Sequence, residues 1–257
     1  MNSLKTNLFK NIEIEINNYC NRKCRYCPNS INEMIEKADM EWDIYEKIIE
    51  QLLEMEFSGR ISFHFYNEPL LNKNIKKHIQ YTKLKLPECK QVLYSNGDFL
   101  TETLLYELFN LGIDQFVITN HSDTKENHNF YKVYTNLVGE RKKNIVYLNS
   151  NELNLTSRCG NIDIGKNINC LHTPCFIPKS LIIIDVKGNI ITCFEDYKRI
   201  SIMGNILDVS IFDIWNSKKY SYLRGQLCMG NRNRFAHCTK CINTSMIYEP
   251  QQYDYFL

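Results

Sequence analysis

The sequence lacks the features that would take the protein to a membrane or to nucleic acid. Its longest candidate apolar run, Leu181–Ile184, is far short of the roughly 18 residues that span a bilayer. The net charge is only +2 at pH 7, so the chain creates no basic field toward nucleic acid or anionic lipid. The first ten residues, MNSLKTNLFK, contain no apolar signal core. We therefore expect a cytoplasmic protein that binds neither membrane nor nucleic acid.

The sequence also lacks a Pro- or Ser-rich linker, an internal repeat and a low-complexity tract. Its composition, 44% hydrophobic and 23% charged, is that of an ordinary globular protein and excludes a disordered or fibrous chain. A length of 257 residues allows one medium domain, or one domain with an appendage. If there are two parts, we expect them to pack directly on one another.

Strand and helix patterns alternate over about the first 150 residues. Ile12, Ile14 and Ile16 alternate with polar residues, as in a strand, and the apolar spacing of residues 40–55 is helical. Further strands are predicted at 60–66, 91–95, 114–119 and 144–148, and further helices at 74–85, 101–112 and 125–138. This alternation predicts a parallel sheet with crossover helices, as an open sheet or a partial barrel.

The pattern changes after about residue 156. Residues 179–186 and 189–194 are rich in β-formers and meet at Gly188, which predicts a hairpin. A short helix is predicted over 210–215. We therefore expect two domains, an α/β domain over residues 1–155 and a smaller hairpin-plus-helix domain over residues 156–257.

Cysteine is the residue that the sequence has in excess, with 11 in a chain that has no export signal. In a reducing compartment, so many thiols indicate metal ligands or redox chemistry rather than disulfides. The thiols fall into two sets, one directly after the first predicted strand and one in the C-terminal part.

The first set, Cys20, Cys24 and Cys27, has the spacing C-x3-C-x2-C, so three thiolates within eight residues can converge on one centre. A closed zinc site wants a fourth ligand nearby, and none stands at the usual spacing. Three cysteines on a [4Fe–4S] cubane instead leave one iron open for a substrate or cofactor. The motif follows a strand, at the end where α/β barrels carry their active sites. Zinc and three unrelated thiols are the alternatives.

This motif, with Tyr26 before its last cysteine, resembles that of the radical S-adenosylmethionine (SAM) enzymes. The resemblance implies a [4Fe–4S] cluster on Cys20, Cys24 and Cys27, whose open iron chelates SAM. It implies reductive cleavage of SAM to methionine and a 5′-deoxyadenosyl radical, with an electron from a flavodoxin- or ferredoxin-type donor. The implied fold is α/β, a partial (β/α)6 barrel with a small auxiliary-cluster domain, which agrees with the alternation described above.

The resemblance also implies SAM contacts at the ends of later strands. Family members carry a Gly-Gly-Glu-like stretch after the second strand, where this sequence has Tyr66-Asn67-Glu68-Pro69. The glycines are absent, but Glu68 is retained and can accept a hydrogen bond from the ammonium of SAM; a solvated loop acid is the alternative. The predicted cofactor-binding set is Tyr26, Asn67, Glu68, Ser95 and Asn120.

The second cysteine set surrounds the predicted hairpin. Cys175, Gly188 and Cys193 have the spacing C-x12-G-x4-C, and Cys238 and Cys241 form a C-x2-C pair. Four thiolates can hold a zinc ion. The spacing also resembles the twitch domain, a shortened SPASM domain that follows many radical SAM barrels. That resemblance implies an auxiliary [4Fe–4S] cluster with all four irons ligated by the protein, which is suited to electron transfer.

Longer segments are similar to radical SAM dehydrogenases of aminoglycoside antibiotic biosynthesis. They are residues 20–30, 59–71, 96–101, 193–196 and 252–255. The resemblance implies oxidation of a secondary alcohol of an aminocyclitol or sugar-like substrate to a ketone, with the auxiliary cluster accepting the second electron. It implies a catalytic Arg158 that stabilises the developing alkoxide. The implied substrate-binding set is Tyr66, Arg158, Phe194, Glu195 and Asp196.

The four remaining cysteines leave alternatives open. Cys89, Cys159, Cys170 and Cys228 are expected to be buried packing residues, but one of the last three could return a hydrogen atom to a substrate radical. A radical SAM epimerase or a peptide-modifying enzyme is therefore an alternative, and a metal-dependent binding protein is another. Loop 149–175 departs from the dehydrogenase pattern, so the sequence leaves the exact substrate open.

Overall fold

The first half of the chain forms five parallel strands joined by helices. A computed structural model describes residues 8–31, 36–122 and 124–247. The strands are β1 (Asn11–Ile14), β2 (Arg60–Ser62), β3 (Lys90–Ser95), β4 (Gln115–Asn120) and β5 (Ile145–Asn149). The helices are α1 (Trp42–Glu54), α2 (Ile75–Lys85), α3 (Glu102–Leu111), α4 (Asn129–Asn136) and α5 (Glu140–Lys143). Segment 252–255, which contributed to the resemblance, lies outside the described residues.

Local sequence signals explain where these elements begin and end. Ile48 and Leu52 on α1 are fully buried against the sheet, as the helical spacing predicted. The side chain of Thr101 accepts a hydrogen bond from the backbone N–H of Leu104 and caps α3. The helix ends at Gly112, whose φ of +125° is readily adopted only by glycine. Strand β2 is shorter than the predicted 60–66, because the chain leaves the sheet after Ser62.

The C-terminal part contains the predicted hairpin and helix, and more. Its elements are α6 (Ile177–Ser180), β6 (Leu181–Ile184), β7 (Asn189–Ile191), β8 (Ile202–Asn205), α7 (Ile211–Asn216) and α8 (Lys218–Cys228). Gly188, with φ of +81°, forms the turn between β6 and β7. Strand β8 and helix α8 had not been predicted. The strand is short, and the helix contains Gly225 and few apolar residues.

All eight strands belong to one sheet, in the order β5-β4-β3-β2-β1-β6-β7-β8. Strands β1 to β6 are parallel. Strand β7 pairs antiparallel with β6, and β8 pairs antiparallel with β7. The predicted α/β class with a parallel, barrel-like sheet is confirmed. The sixth parallel strand pairs with β1 rather than with β5. In the described residues 150–176, between β5 and α6, the one element is a 3₁₀ turn, Ser150–Glu152.

The pairing of β1 with β6 joins the two halves of the chain. Ile12 lies opposite Ile182 and Ile14 opposite Ile184, and all four side chains are fully buried. The two predicted parts therefore share a sheet and a core, while the boundary between residues 155 and 156 stays a prediction. None of the helices in the described part of the chain combines the length and the apolar character needed to cross a membrane.

Truncating this shared core should unfold both halves together. We expect Ile182→Ala to lower the free energy of unfolding of the apoprotein by about 2–5 kcal/mol, because it opens a cavity beside β1. Urea unfolding, followed by circular dichroism, measures the loss. Leu84→Ala, at a position that is 76% exposed, serves as the control and should cost about 0.5 kcal/mol or less. Separate transitions for the two halves would contradict the shared core.

Candidate active site

A cavity of about 440 Å³ lies against β1–β4 and the loops that follow them, a size suited to a small-molecule ligand. Strand residues on its wall include Glu13 of β1, Ser95 of β3 and Thr119 of β4. Cys20, Cys24 and Cys27 also line it, so the predicted first set faces a common space. The cavity is thus on the side of the sheet where the sequence predicted the site.

The loop of the first cysteine set is folded tightly on itself. The N–H of Cys27 donates to the carbonyl of Cys24 over 2.9 Å, and the N–H of Arg22 donates to Cys20 Sγ over 3.4 Å. Burial raises the pKa of all three thiols, that of Cys20 to about 11. Without a metal the thiols stay protonated, so binding of a metal or cluster must release protons.

A partly exposed hydrogen-bond network attaches this loop to the end of β3. The guanidinium of Arg22 binds the Asp98 carboxylate as a two-pronged fork, with Nε 2.7 Å from Oδ2. Asn21 donates to the same carboxylate over 2.7 Å. Burial raises the pKa of Asp98, but the hydrogen bonds from Arg22 and Asn21 outweigh it and leave the pKa below its usual value. Asn96 adds a contact of 3.8 Å from Nδ2 to Cys20 Sγ.

Glu68 joins the end of β2 to the end of β3. Its carboxylate accepts hydrogen bonds from the Ser95 hydroxyl at 2.8 Å, the Asn96 N–H at 2.7 Å and the Leu70 N–H at 3.1 Å. Glu68 is 1% exposed, and burial raises its pKa to about 7 against these hydrogen bonds. Glu68 is therefore a buried, cavity-lining acid rather than the solvated loop acid that was the alternative.

The other predicted SAM contacts differ in how they face the cavity. Asn67 lines it, but its amide is occupied by Asn17 and by the backbone of Phe63 and Phe65. Tyr26 lines it as well, and its hydroxyl is hydrogen-bonded to His121 Nδ1. The cavity wall does not include Asn120, which is buried with Nδ2 3.4 Å from both the Thr124 carbonyl and Asn149 Oδ1.

Arg158 reaches the cavity from a strained turn. Arg158 and Cys159 have φ of +47° and +54°, a left-handed conformation that is unfavourable for residues other than glycine. The Ser157 hydroxyl donates to the Lys240 carbonyl over 2.9 Å, which ties this turn to the segment between Cys238 and Cys241. Such a strained conformation persists only where surrounding contacts impose it, so the fold fixes the position of the guanidinium.

The predicted pocket residues separate into two groups. Tyr66 and Phe194 line the cavity with Arg158, and the Tyr66 hydroxyl donates to the Phe194 carbonyl over 2.7 Å. Glu195 and Asp196 do not line it. Both are 1% exposed, and their carboxylates are hydrogen-bonded to other groups of the protein.

Glu195 lies behind Arg158. Its carboxylate accepts hydrogen bonds from the Thr156 hydroxyl at 2.8 Å and from Asn243 Nδ2 at 2.8 Å, and it lies 3.4 Å from the Arg158 guanidinium. The Asp196 carboxylate instead accepts the N–H groups of Ile200 and Ser201, so it closes a turn.

The second cysteine set forms a separate electrostatic neighbourhood. Burial raises the pKa of Cys193, and the charges of Cys175 and Cys241 raise it further. Burial also raises the pKa of Cys238, and the charges of Cys241 and Cys175 raise it further. A fifth thiol, that of Cys159, is hydrogen-bonded to Cys241 and so belongs to the same site. All 11 cysteines lie in the described ranges and are free thiols.

The donor chemistry fits the two kinds of cluster that the sequence predicted. Three thiols face an open cavity in the first set, which suits a cluster with one iron left for a ligand. Four thiols interact within the second set, away from the cavity wall. Across the ranges that the structure describes, no three His, Cys, Asp or Glu side chains are drawn together closely enough to hold a single metal ion.

Sequence reasoning missed a polar group on the wall of the cavity. Glu13 Oε1 lies 3.7 Å from the Arg60 guanidinium and 3.8 Å from His64 Nε2, and His64 stacks on Tyr94. The sequence had assigned Glu13 to the polar face of a half-buried strand. Strand β1 lies between β2 and β6, and a parallel strand with neighbours on both sides is buried on both faces. An acidic residue in such a strand is the signal that could have identified Glu13 as a site residue.

Burial dominates the electrostatics of this group. It raises the pKa of Glu13 to about 7, against the charges of Arg60 and Arg158. It lowers the pKa of His64 to about 3, and the same two charges act in the same direction. His64 Nδ1 is buried and has no hydrogen-bond partner among the described residues. His64 is therefore a neutral imidazole in the wall of the cavity.

Comparison with known proteins defines the class. The sequence model of the Radical SAM superfamily matches residues 14–169, and that of the SPASM iron–sulfur cluster-binding domain matches residues 175–242. The chain therefore belongs to the radical SAM superfamily and carries an auxiliary-cluster domain. SAM and iron–sulfur clusters, predicted from the cysteine spacing and its resemblance, are confirmed as its cofactors; the individual ligands stay predictions.

Within that class the chain is similar to the SAM-dependent 2-deoxy-scyllo-inosamine dehydrogenase of Niallia circulans. The two are 41% identical over 250 residues, which cover 97% of this chain and 99% of that enzyme. The crystal structure of BtrN with AdoMet and 2-DOIA matches with a TM-score of 0.89 at 40% identity, over 95% of this chain and 97% of that one. BtrN in an open conformation matches at 0.74 and 36% identity, over 93% and 94%. The predicted resemblance to an aminocyclitol dehydrogenase is confirmed.

The fold alone extends to a more distant structure. anSMEcpe with bound AdoMet matches with a TM-score of 0.54 at 12% identity, over 95% of this chain and 88% of that one.

Weakening the support of the cysteine loop should weaken SAM binding. In Asp98→Asn the fork to Arg22 loses its charge, which costs about 1.5 kcal/mol and lets the loop move. We expect about tenfold weaker SAM binding to the reconstituted protein, measured by calorimetric titration. Glu107→Gln, which breaks an exposed pair with Lys76, is the control and should bind SAM normally. Normal SAM binding by Asp98→Asn would contradict this role.

Proposed function

We propose that the protein is a radical SAM dehydrogenase that oxidises a secondary alcohol of 2-deoxy-scyllo-inosamine, or of a closely similar aminocyclitol, to a ketone. The observation that carries the proposal is the position of Arg158. Its guanidinium lines the cavity of the first cysteine set and lies 3.4 Å from Glu195, whose N–H donates to Cys193 of the second set. One residue thus stands between the two cysteine sets.

The proposed cofactor sites follow from the donor sets. Cys20, Cys24 and Cys27 would hold the SAM-binding cluster, and Cys175, Cys193, Cys238 and Cys241 would hold the auxiliary cluster. When bound, SAM supplies the 5′-deoxyadenosyl radical after one-electron reduction, and the auxiliary cluster supplies an electron acceptor. Tyr26, Glu68 and Ser95 would contact SAM from the cavity wall. Asn67 and Asn120 would act by fixing the loops after β2 and β4.

Arg158 would act on the oxygen that is oxidised. Oxidation of a carbinol to a ketone removes one hydrogen atom, one proton and one electron. Burial disfavours the charge of Arg158, but Tyr66, Glu195, Cys27 and Cys193 outweigh it and raise its pKa, so the guanidinium stays charged. A permanent cation is a poor base and a good donor to a developing alkoxide. Glu195 fixes its orientation from behind, so we propose that Glu195 positions Arg158 rather than binding substrate directly.

The polar wall fits a substrate with several hydroxyls and an amine. Glu13, His64 and Tyr94 all line the cavity. The Glu13 carboxylate would attract the substrate's ammonium. Phe194 and Tyr66 supply an apolar wall across the cavity. This combination of Glu13, a neutral imidazole and three aromatic rings is suited to an aminocyclitol.

The arrangement favours oxidation over epimerisation. A redox-neutral epimerase needs a thiol beside the substrate that returns a hydrogen atom. The thiols on the described wall of the cavity are Cys20, Cys24 and Cys27, the proposed cluster ligands. Cys159 is instead hydrogen-bonded to Cys241 in the second set. The same observation disfavours peptide modification that uses a cysteine hydrogen-atom donor.

The proposed reaction also needs an electron donor and a reducing compartment. The first electron would come from a flavodoxin- or ferredoxin-type donor. The protein would work in the cytoplasm, where 11 free thiols stay reduced.

The decisive experiment uses labelled substrate. The reconstituted protein receives dithionite, SAM and 2-deoxy-scyllo-inosamine that carries deuterium at the carbinol carbon. We expect deuterium in 5′-deoxyadenosine and one equivalent of ketone, both measured by mass spectrometry. Deuterium in 5′-deoxyadenosine together with an inverted carbinol that has lost its label, and no ketone, would instead establish epimerisation by a hydrogen-donating thiol. Formation of unlabelled 5′-deoxyadenosine alone would exclude this aminocyclitol as the substrate.

Removing the Arg158 charge should impair the chemical step. We expect Arg158→Met to lower kcat about 100-fold or more, because the developing alkoxide loses its charged donor. SAM binding should be unchanged. Arg141→Met, which removes a charge from the surface helix α5, is the matched control. Equal kcat in the Arg158 variant and the control would contradict the proposed role.

Substitution of Glu13 should remove a pH dependence. Because its pKa is about 7, the carboxyl ionises as the pH rises through neutrality, and only the carboxylate attracts an ammonium. About one tenth is ionised at pH 6, so kcat/KM should rise about tenfold between pH 6 and pH 8. In Glu13→Gln we expect a lower and flatter profile. A variant that retains the full rise would show that another group titrates.

A further inference from the structure

Arg232 is a buried cation in the neighbourhood of the second cysteine set. It is 1% exposed, in the 3₁₀ turn Arg232–Arg234. Its guanidinium donates to the backbone carbonyls of Thr173, Pro174 and Asn243, each over 2.8 Å. These carbonyls belong to the two segments that carry Cys175 and Cys241. The side chain is therefore held rigidly between them.

Among the residues that the structure describes, no carboxylate is hydrogen-bonded to Arg232 or forms a salt bridge with it. Within the described ranges its polar contacts are the three carbonyls and Cys241 Sγ, which lies 3.9 Å from Nη1. The partly buried Arg158 and Arg199 differ, since Arg158 pairs with Glu195 and Arg199 pairs with Glu15. The charge of Arg232 acts instead on the thiols of Cys170, Cys175, Cys238 and Cys241.

Burying a lone cation is costly unless opposite charge stands near it. Thiols supply that charge only when they are deprotonated, as they are when they bind iron. We propose that Arg232 is a tuning residue of the auxiliary cluster, which raises the cluster's reduction potential and so favours acceptance of the substrate's electron. This inference rests on the proposed ligand set of the second site.

The direction follows from charge. In the proposed reaction the substrate would lose a hydrogen atom to the 5′-deoxyadenosyl radical, a proton to water and one electron to the auxiliary cluster. Reduction therefore adds one negative charge to a centre that four thiolates already make negative. A fixed positive charge in a buried, weakly screened environment stabilises the reduced state more than the oxidised state. Loss of Arg232 should make the cluster harder to reduce.

The test isolates the auxiliary cluster in a Cys20→Ala/Cys24→Ala/Cys27→Ala background and titrates it electrochemically with EPR detection. We expect Arg232→Met to shift the one-electron equilibrium at least tenfold toward the oxidised cluster, which is about 59 mV. Arg232→Lys keeps the charge but cannot reproduce the three carbonyl contacts, and it should shift the equilibrium less than threefold. Arg141→Met removes a remote surface charge and should leave the potential unchanged.

Every outcome is decisive. Equal shifts in the Met and Lys variants would show that Arg232 acts through structure alone, and the absence of any shift would overturn the inference outright. If Arg232→Met fails to retain iron, Arg232→Gln replaces it, because glutamine keeps donors without charge and should give the same shift. A background protein that binds no four-iron cluster, by iron analysis, would instead refute the proposed ligand set.

Discussion

The buried carboxylate of Glu195 is the interaction on which the arrangement of the site depends. It accepts hydrogen bonds from Thr156 and Asn243 and pairs with Arg158, while its own N–H donates to Cys193 Sγ. These partners come from three separate segments of the chain. A buried charge without partners would be strongly destabilising, so the three segments must come together for the acid to be buried. The same contacts that stabilise Glu195 hold the second cysteine set at a fixed distance from Arg158.

The sheet provides the frame in which that interaction forms. Because β6 pairs with β1, the hairpin that leads to Cys193 begins in the strand beside the one that leads to Cys20. A sixth strand at the far edge, next to β5, would have separated the two cysteine sets by the width of the sheet. Residues 150–176 could then no longer run as a loop beside the cavity, and Arg158 would lose its position. The strand order therefore determines where the two cysteine sets and Arg158 lie relative to one another.

How much of this the sequence could predict depends on the range of the signal. The C-x3-C-x2-C loop, the cap at Thr101 and the turn at Gly188 are local, and each was predicted at its observed position. Whether Glu13 and Glu195 line the cavity depends on which strand lies beside which, and that information is spread over the whole chain. Helix α8 was missed because its amphipathic pattern is weak, although the helix buries Tyr220, Leu223 and Leu227.

The charges of two arginines divide the proposed reaction between the two halves of the site. Arg158 is exposed to the cavity and held by a carboxylate, which leaves its remaining donors for a substrate oxygen. Arg232 is sealed among carbonyls and thiols, where it can contact no substrate and can act only through its field. One cation therefore stabilises charge that develops on the substrate, and the other stabilises charge that arrives at the auxiliary cluster. Because Lys240, between Cys238 and Cys241, accepts the hydrogen bond of Ser157, the two cations belong to a single connected unit.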